Sequence, residues 1–140
     1  MNDGSKTVLY AGARDFRAST IPLDNQTPPS PGEVHLWVLD LGCLSGALTA
    51  ALGGDAGKGP AGAGLLLFAR RFYLRLLLGS YLGLPGKAVK INRKNSGKPV
   101  LDDALHPEDL HFSMAKSEDK LLSGISASCH FGVDLERWER

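Results

Sequence analysis

The chain is poor in the residues that would mark several common classes of protein. It has two cysteines, Cys43 and Cys129, which fit neither a disulfide framework nor a zinc site, so a reduced, cytoplasmic setting is the expectation. Its histidines (35, 106, 111 and 130) have no metal-ligand spacing with either cysteine. No apolar run approaches the roughly 20 residues of a membrane span. The opening residues, Met1–Arg17, carry charges of both signs and no apolar core, which argues against a secretory signal. A formal net charge of +1 provides no whole-molecule attraction for nucleic acid. The Gly-rich stretch around Lys58 is not a phosphate-binding P-loop, because Leu52 stands where the first glycine is needed and Gly59 where Ser or Thr is needed. Ser117 has no evident His and Asp partners for a hydrolase triad.

One further absence is informative. Between Ala56 and Leu101 there is no acidic residue, while Lys58, Arg70, Arg71, Arg75, Lys87, Lys90, Arg93, Lys94 and Lys98 are all basic. From Asp102 onward acids dominate. A basic half followed by an acidic one suits a phosphate-rich ligand that carries a metal ion, and it equally describes a solvated helix face beside acidic loops.

At 140 residues and 43% hydrophobic, the chain has room for one domain. Residues 1–33 are rich in Pro, Ser, Asn and Asp and read as a loosely ordered arm, which leaves 34–140 as the folded unit. The β-branched and aromatic run Val34–Leu41 reads as a buried strand. Leu44–Leu52 has the makings of a short helix, and Gly53–Gly64 reads as a flexible loop. Leu65–Leu82 is the main helix, free of Gly and Pro before Gly79 and ended by Gly83 and Pro85. Arg71 and Arg75, four apart, project from one face of it. Ala88–Arg93, Lys98–Leu101, His111–Met114, Leu121–Ala127 and Phe131–Leu135 read as short strands. The result is an α+β chain, with one main helix packed on a small, largely antiparallel sheet.

Three short motifs carry chemistry. In Phe131-Gly132-Val133-Asp134-Leu135-Glu136, a period of two puts both carboxylates on one face. Such a pair repels itself unless a cation intervenes, and Mg²⁺ takes one or two carboxylates plus phosphates and water. A strand end balanced by Arg137 and Arg140 accounts for the same residues. In Gly97-Lys98-Pro99 a tight turn presents a lysine to an anion or an adenine ring, or is simply a hairpin turn. Phe112-Ser113-Met114-Ala115-Lys116-Ser117 reads as a strand ending in a loop, with one ammonium, one hydroxyl and backbone N–H groups available to phosphate, or simply as a polar loop between two strands.

In their order along the chain, the Arg-bearing helix, Gly-Lys-Pro, the Phe112–Ser117 segment, the Leu121–Ile125 strand and Gly-Val-Asp-Leu-Glu resemble the first half of the Sfp-type 4'-phosphopantetheinyl transferases. The resemblance implies one half of the pseudo-dimer of that family. It also implies Mg²⁺-dependent transfer of the phosphopantetheine arm from coenzyme A to a serine of an acyl or peptidyl carrier protein. By the same resemblance Asp134 and Glu136 are metal carboxylates. Lys98 and Pro99 lie along the coenzyme A phosphates and adenine, Lys116 and Ser117 reach its 3'-phosphate, and either Arg71 or Arg75 matches a phosphate-binding arginine.

The sequence departs from the family pattern in three places. Ala115-Lys116-Ser117 stands for the usual Ser-His-Ser, and a Gly/Ala-rich stretch replaces a basic segment before the helix. The Trp-x-x-Lys-Glu-Ala motif that carries the third carboxylate and the expected general base does not occur. The expectation is therefore an N-terminal half with little or no transferase activity alone, self-associating through its exposed half-interface. The alternative is a non-catalytic module that binds coenzyme A or a carrier protein. Holo-acyl-carrier-protein synthase fits less well, because its Gly-x-Asp motif comes first, whereas here that motif comes last.

Overall fold

In the computed structural model, residues 16–17, 23–44, 46, 63–106, 110–127 and 131–136 are described. The first regular element is β1, His35–Asp40, whose burial alternates over its first four residues. Trp37 and Leu39 pack into the core, while Leu36 and Val38 stay 36% and 40% exposed. A helical turn follows at residues 41–44, so helical structure begins three residues before Leu44, where a short helix was expected to start. Residues 47–52, and nearly all of the Gly/Ala-rich loop expected after them, lie outside the described residues.

The main helix, α1, spans Ala63–Leu82. Ala69, Tyr73, Leu74, Leu77, Leu78 and Tyr81 are buried at the three- and four-residue spacing of one helix face. Its end is a Schellman motif. Gly83 takes φ +69°, and the Leu84 N–H donates to the Gly79 carbonyl at 3.0 Å. Gly79 is required there, since a side chain would meet the Leu84 carbonyl.

A 3₁₀ turn, Gly86–Ala88, leads to β2 (Ile91–Arg93), which is shorter than the strand expected from Ala88. β2 pairs antiparallel with β3 (Pro99–Leu101), placing Arg93 opposite Pro99. Gly97, at φ +86°, closes the hairpin by donating its N–H to the Lys94 carbonyl at 2.8 Å. The remaining strands are β4 (His111–Ser117) and β5 (Lys120–Ser126). They form the three-stranded sheet β1-β5-β4, antiparallel throughout. The chain is α+β, with one main helix against small antiparallel sheets.

Register assigns the faces. Trp37, Ser123 and Met114 lie abreast on the side toward α1; Leu36, Gly124 and Ser113 lie abreast on the other. Leu74, Leu77, Leu78 and Tyr81 of α1 share a core with Phe112 and Ile125 of the sheet and Leu101 of the hairpin. Tyr81 is also pinned by polar contacts. Its hydroxyl accepts the Trp37 indole N–H at 2.8 Å and lies 2.8 Å from His35 Nδ1. Within the arm, Leu23 packs on this core and the Gln26 N–H donates to the Ser80 carbonyl at 2.8 Å.

Candidate functional site

The segment 131–136 is not a hydrogen-bonded strand, contrary to the expectation for Phe131–Leu135. It lies over the outer face of the sheet at Gly124, where a Cβ would stand 2.5 Å from Phe131 Cε2 and 2.9 Å from Val133 Cγ1. Only glycine lets the segment approach so closely. The Val133 N–H donates to Ser113 Oγ at 3.3 Å, which takes the place of a ladder bond. The alternation nonetheless survives: Phe131, Val133 and Leu135 are half-buried, and Gly132, Asp134 and Glu136 are exposed. The two carboxylates therefore both face solvent from one short extended segment.

Lys98 links the hairpin to this segment, its Nζ donating to the Phe131 carbonyl at 3.3 Å. An ammonium has three donors, so this contact leaves two for other acceptors. Its neighbour Pro99 lines a cleft of about 190 Å³ between α1, the hairpin and β4. Four guanidinium-bearing side chains, Arg70, Arg71, Arg75 and Arg93, line the same cleft, with Leu74, Ile91 and Met114 as its apolar surface.

Among the described residues none of these arginines is paired with a carboxylate; the ion pairs found join Lys120 to Asp40 and Asp119. Arg75 donates to the Arg71 carbonyl at 3.3 Å and Arg93 to the Gly97 carbonyl at 3.0 Å. Burial, followed by the charges of Arg71 and Arg93, pushes the Arg70 guanidinium below its ordinary value. A half-open cleft with this much uncompensated positive charge suits a polyanion.

Lys116 and Ser117 fall differently from the loop expected for them. Both belong to β4, and the turn comes after them at Glu118-Asp119, with Glu118 at φ +54°. Strand alternation puts Lys116 on the face of Met114, which lines the arginine cleft, and turns Ser117 to the opposite face beside Lys120. Their side chains therefore leave the end of the strand on opposite faces.

The cleft also contains Arg70 and Arg93, which motif reading had counted as basic but not assigned to the site. Arg93 was within reach of pattern reasoning. In a hairpin closed by Gly97 it stands opposite Pro99, and two residues from Ile91 it shares a strand face.

Among the described residues no three His, Cys, Asp or Glu side chains come together as a metal-ligand group. The donors that are available, two exposed carboxylates on one extended segment, nonetheless suit Mg²⁺, which completes its shell with water and phosphate.

The α+β fold agrees with the transferase resemblance. The chain is similar to 4'-phosphopantetheinyl transferase HetI of Nostoc sp. (strain PCC 7120), 31% identical over a 121-residue alignment. That alignment covers 74% of this chain and 47% of HetI, so the chain spans about half the length of its relative. No family model matches the chain.

Proposed function

We propose that the chain binds coenzyme A and Mg²⁺ as part of the machinery that transfers the 4'-phosphopantetheine arm to a serine of an acyl or peptidyl carrier protein. The observation that carries this reading is the Lys98 contact with Phe131. It joins the Gly-Lys-Pro turn to the carboxylate segment 33 residues later, while Pro99 opens onto the arginine cleft. Arg71 and Arg75, with Arg70 and Arg93 beside them, hold the ligand's phosphates, and Lys116 approaches from the same sheet face. Ser117 serves from the other face of the sheet, beside Lys120. Asp134 and Glu136 hold Mg²⁺, which would offset negative charge on the pyrophosphate and on the leaving 3',5'-ADP. In the transfer, the serine oxygen bonds to the phosphorus bearing the pantetheine arm, the bond from that phosphorus to 3',5'-ADP breaks, and the serine proton passes to a base.

The two carboxylates have no third partner among the described residues. This favours binding with little or no turnover by these residues alone, the non-catalytic reading of the same site. Unit 34–140 would then act as one half of a pseudo-dimer in the cytoplasm. Leu36 and Val38, exposed on the outer sheet face, are the proposed self-association surface. No described helix is long and apolar enough to cross a membrane.

Equilibrium dialysis against coenzyme A and dephospho-coenzyme A tests the site. Coenzyme A is expected to bind more tightly, with that preference reduced in Arg71→Ala and in Arg75→Ala. Failure to bind coenzyme A would overturn the reading. Mass spectrometry of a carrier protein incubated with the chain, coenzyme A and Mg²⁺ is expected to show little or no modified serine.

A further inference from the structure

The hairpin β2–β3 is a separate two-stranded ribbon, paired over three residues on each strand. Such a ribbon is marginal in water by itself, so what fastens it to the rest of the fold decides where its side chains stand. Its base is held by the turn at residues 102–106. The Asp102 N–H donates to the Lys90 carbonyl at 3.0 Å, and the Lys90 N–H donates to His106 Nε2 at 2.9 Å. The residue that leads into β2 is thus gripped at both its N–H and its carbonyl.

The turn is itself closed by one carboxylate. Asp102 Oδ1 accepts the Ala104 and Leu105 N–H groups, each at 3.0 Å, and Oδ2 accepts Asn92 Nδ2 at 2.7 Å. The His106 N–H then donates to the Asp102 carbonyl at 2.8 Å. His106 is 3% exposed. Because Nε2 accepts a hydrogen bond, the ring proton of the neutral imidazole belongs on Nδ1, and Nδ1 is buried with no partner among the described residues. An unpaired buried donor is unfavourable, and an apolar side chain would avoid it. What an apolar side chain could not supply is the acceptor for Lys90.

We propose that Asp102 and His106 are positioning residues that hold Arg93, Lys98 and Pro99 in place for a phosphate-bearing ligand. This rests on the reading of the cleft as a coenzyme A site. Neither residue touches the ligand; both act through the hairpin.

The test compares the wild-type chain with His106→Leu and His106→Gln, whose side-chain oxygen can accept the Lys90 N–H. Amide hydrogen exchange and calorimetric titration with coenzyme A are measured on each. His106→Leu is expected to speed exchange over residues 90–101 by about tenfold and weaken coenzyme A by about tenfold, while α1, β4 and β5 exchange as before. His106→Gln is expected to restore both. Asn92→Ala, which removes only one exposed contact of Asp102, guards against a His106→Leu protein that fails to fold, and should produce the same pattern by a smaller factor.

Unchanged hairpin exchange in both disruptive variants overturns the latch. A loosened hairpin with unchanged affinity overturns the positioning role. A wild-type chain that does not bind coenzyme A overturns the reading of the cleft, and the positioning role with it, while the exchange data still decide the latch.

Discussion

Gly124→Ala is the most local way to disturb the carboxylate segment. The added methyl would stand 2.5 and 2.9 Å from Phe131 ring carbons and 2.9 Å from Val133 Cγ1. Unbonded carbons ordinarily sit about 3.5–4.0 Å apart, so the segment must retreat by roughly 1 Å. Overpacking of this kind costs about 1–3 kcal/mol. Opposing it are two part-buried hydrogen bonds, Val133 N–H to Ser113 Oγ and Lys98 Nζ to the Phe131 carbonyl, at about 1 kcal/mol each. Half-burial of Phe131, Val133 and Leu135 adds about 1 kcal/mol apiece. The sum on the holding side, about 5 kcal/mol, exceeds the clash, so the segment shifts instead of detaching. Since 1.4 kcal/mol is tenfold in affinity, Mg²⁺-dependent binding of coenzyme A should weaken by about tenfold. The strand backbone at Gly124 is not left-handed, so β5 itself tolerates alanine. Calorimetry with coenzyme A and Mg²⁺, beside hydrogen exchange over residues 131–136, reads both effects. Wild-type affinity together with unchanged exchange in that segment would refute the reasoning.

Tyr81→Phe deletes the hydroxyl that accepts from Trp37 and leaves the indole N–H unpaired, and urea unfolding should show a loss of about 1–2 kcal/mol. Cys43 is free, and the hydrogen bond and charge of Asp40 push its thiol above the ordinary range. In a Cys129→Ser background it should alkylate more slowly at neutral pH than a model thiol, and faster once Asp40 is changed to Asn. The Asp102 carboxylate is lowered, first by Asn92 and then by the Leu105 N–H. A lowered carboxylate stabilises the fold above its unfolded value near 4, and that contribution is lost as pH falls through the folded value. Stability measured from pH 7 to pH 2.5 should therefore decline more gently below about pH 4 in Asp102→Asn. Val38→Glu, on the outer sheet face, should shift sedimentation toward the monomer if that face mediates self-association.

Much of the fold was legible because local chemistry and long-range packing agree. The helix follows its apolar spacing and stops at Gly83, and β1, β3 and β5 follow β-branched or alternating runs bounded by turn residues. The misreadings have physical causes. Lys116 and Ser117 look like loop residues, yet their backbones pair with β5, and sheet pairing prevails over side-chain polarity. Segment 131–136 looks like a strand, yet the bare Cα of Gly124 and the Ser113 hydroxyl seat it across the sheet face. Motif spacing pointed to the Asp134 and Glu136 pair and, separately, to Lys98. The Lys98–Phe131 contact, the inclusion of Arg93 in the cleft and the grip of His106 on Lys90 depend on how the hairpin packs, which no local pattern encodes.

Asp134 and Glu136 are proposed to hold a metal that helps bind coenzyme A. Calorimetric titration of coenzyme A into the chain, with Mg²⁺ or with a chelator present, tests it directly, repeated with the Asp134→Ala/Glu136→Ala double variant. The account predicts tighter binding with Mg²⁺ in the wild-type chain, and equal, weaker binding under both conditions in the double variant. Wild-type binding indifferent to Mg²⁺, or Mg²⁺ dependence that survives the loss of both carboxylates, would contradict it.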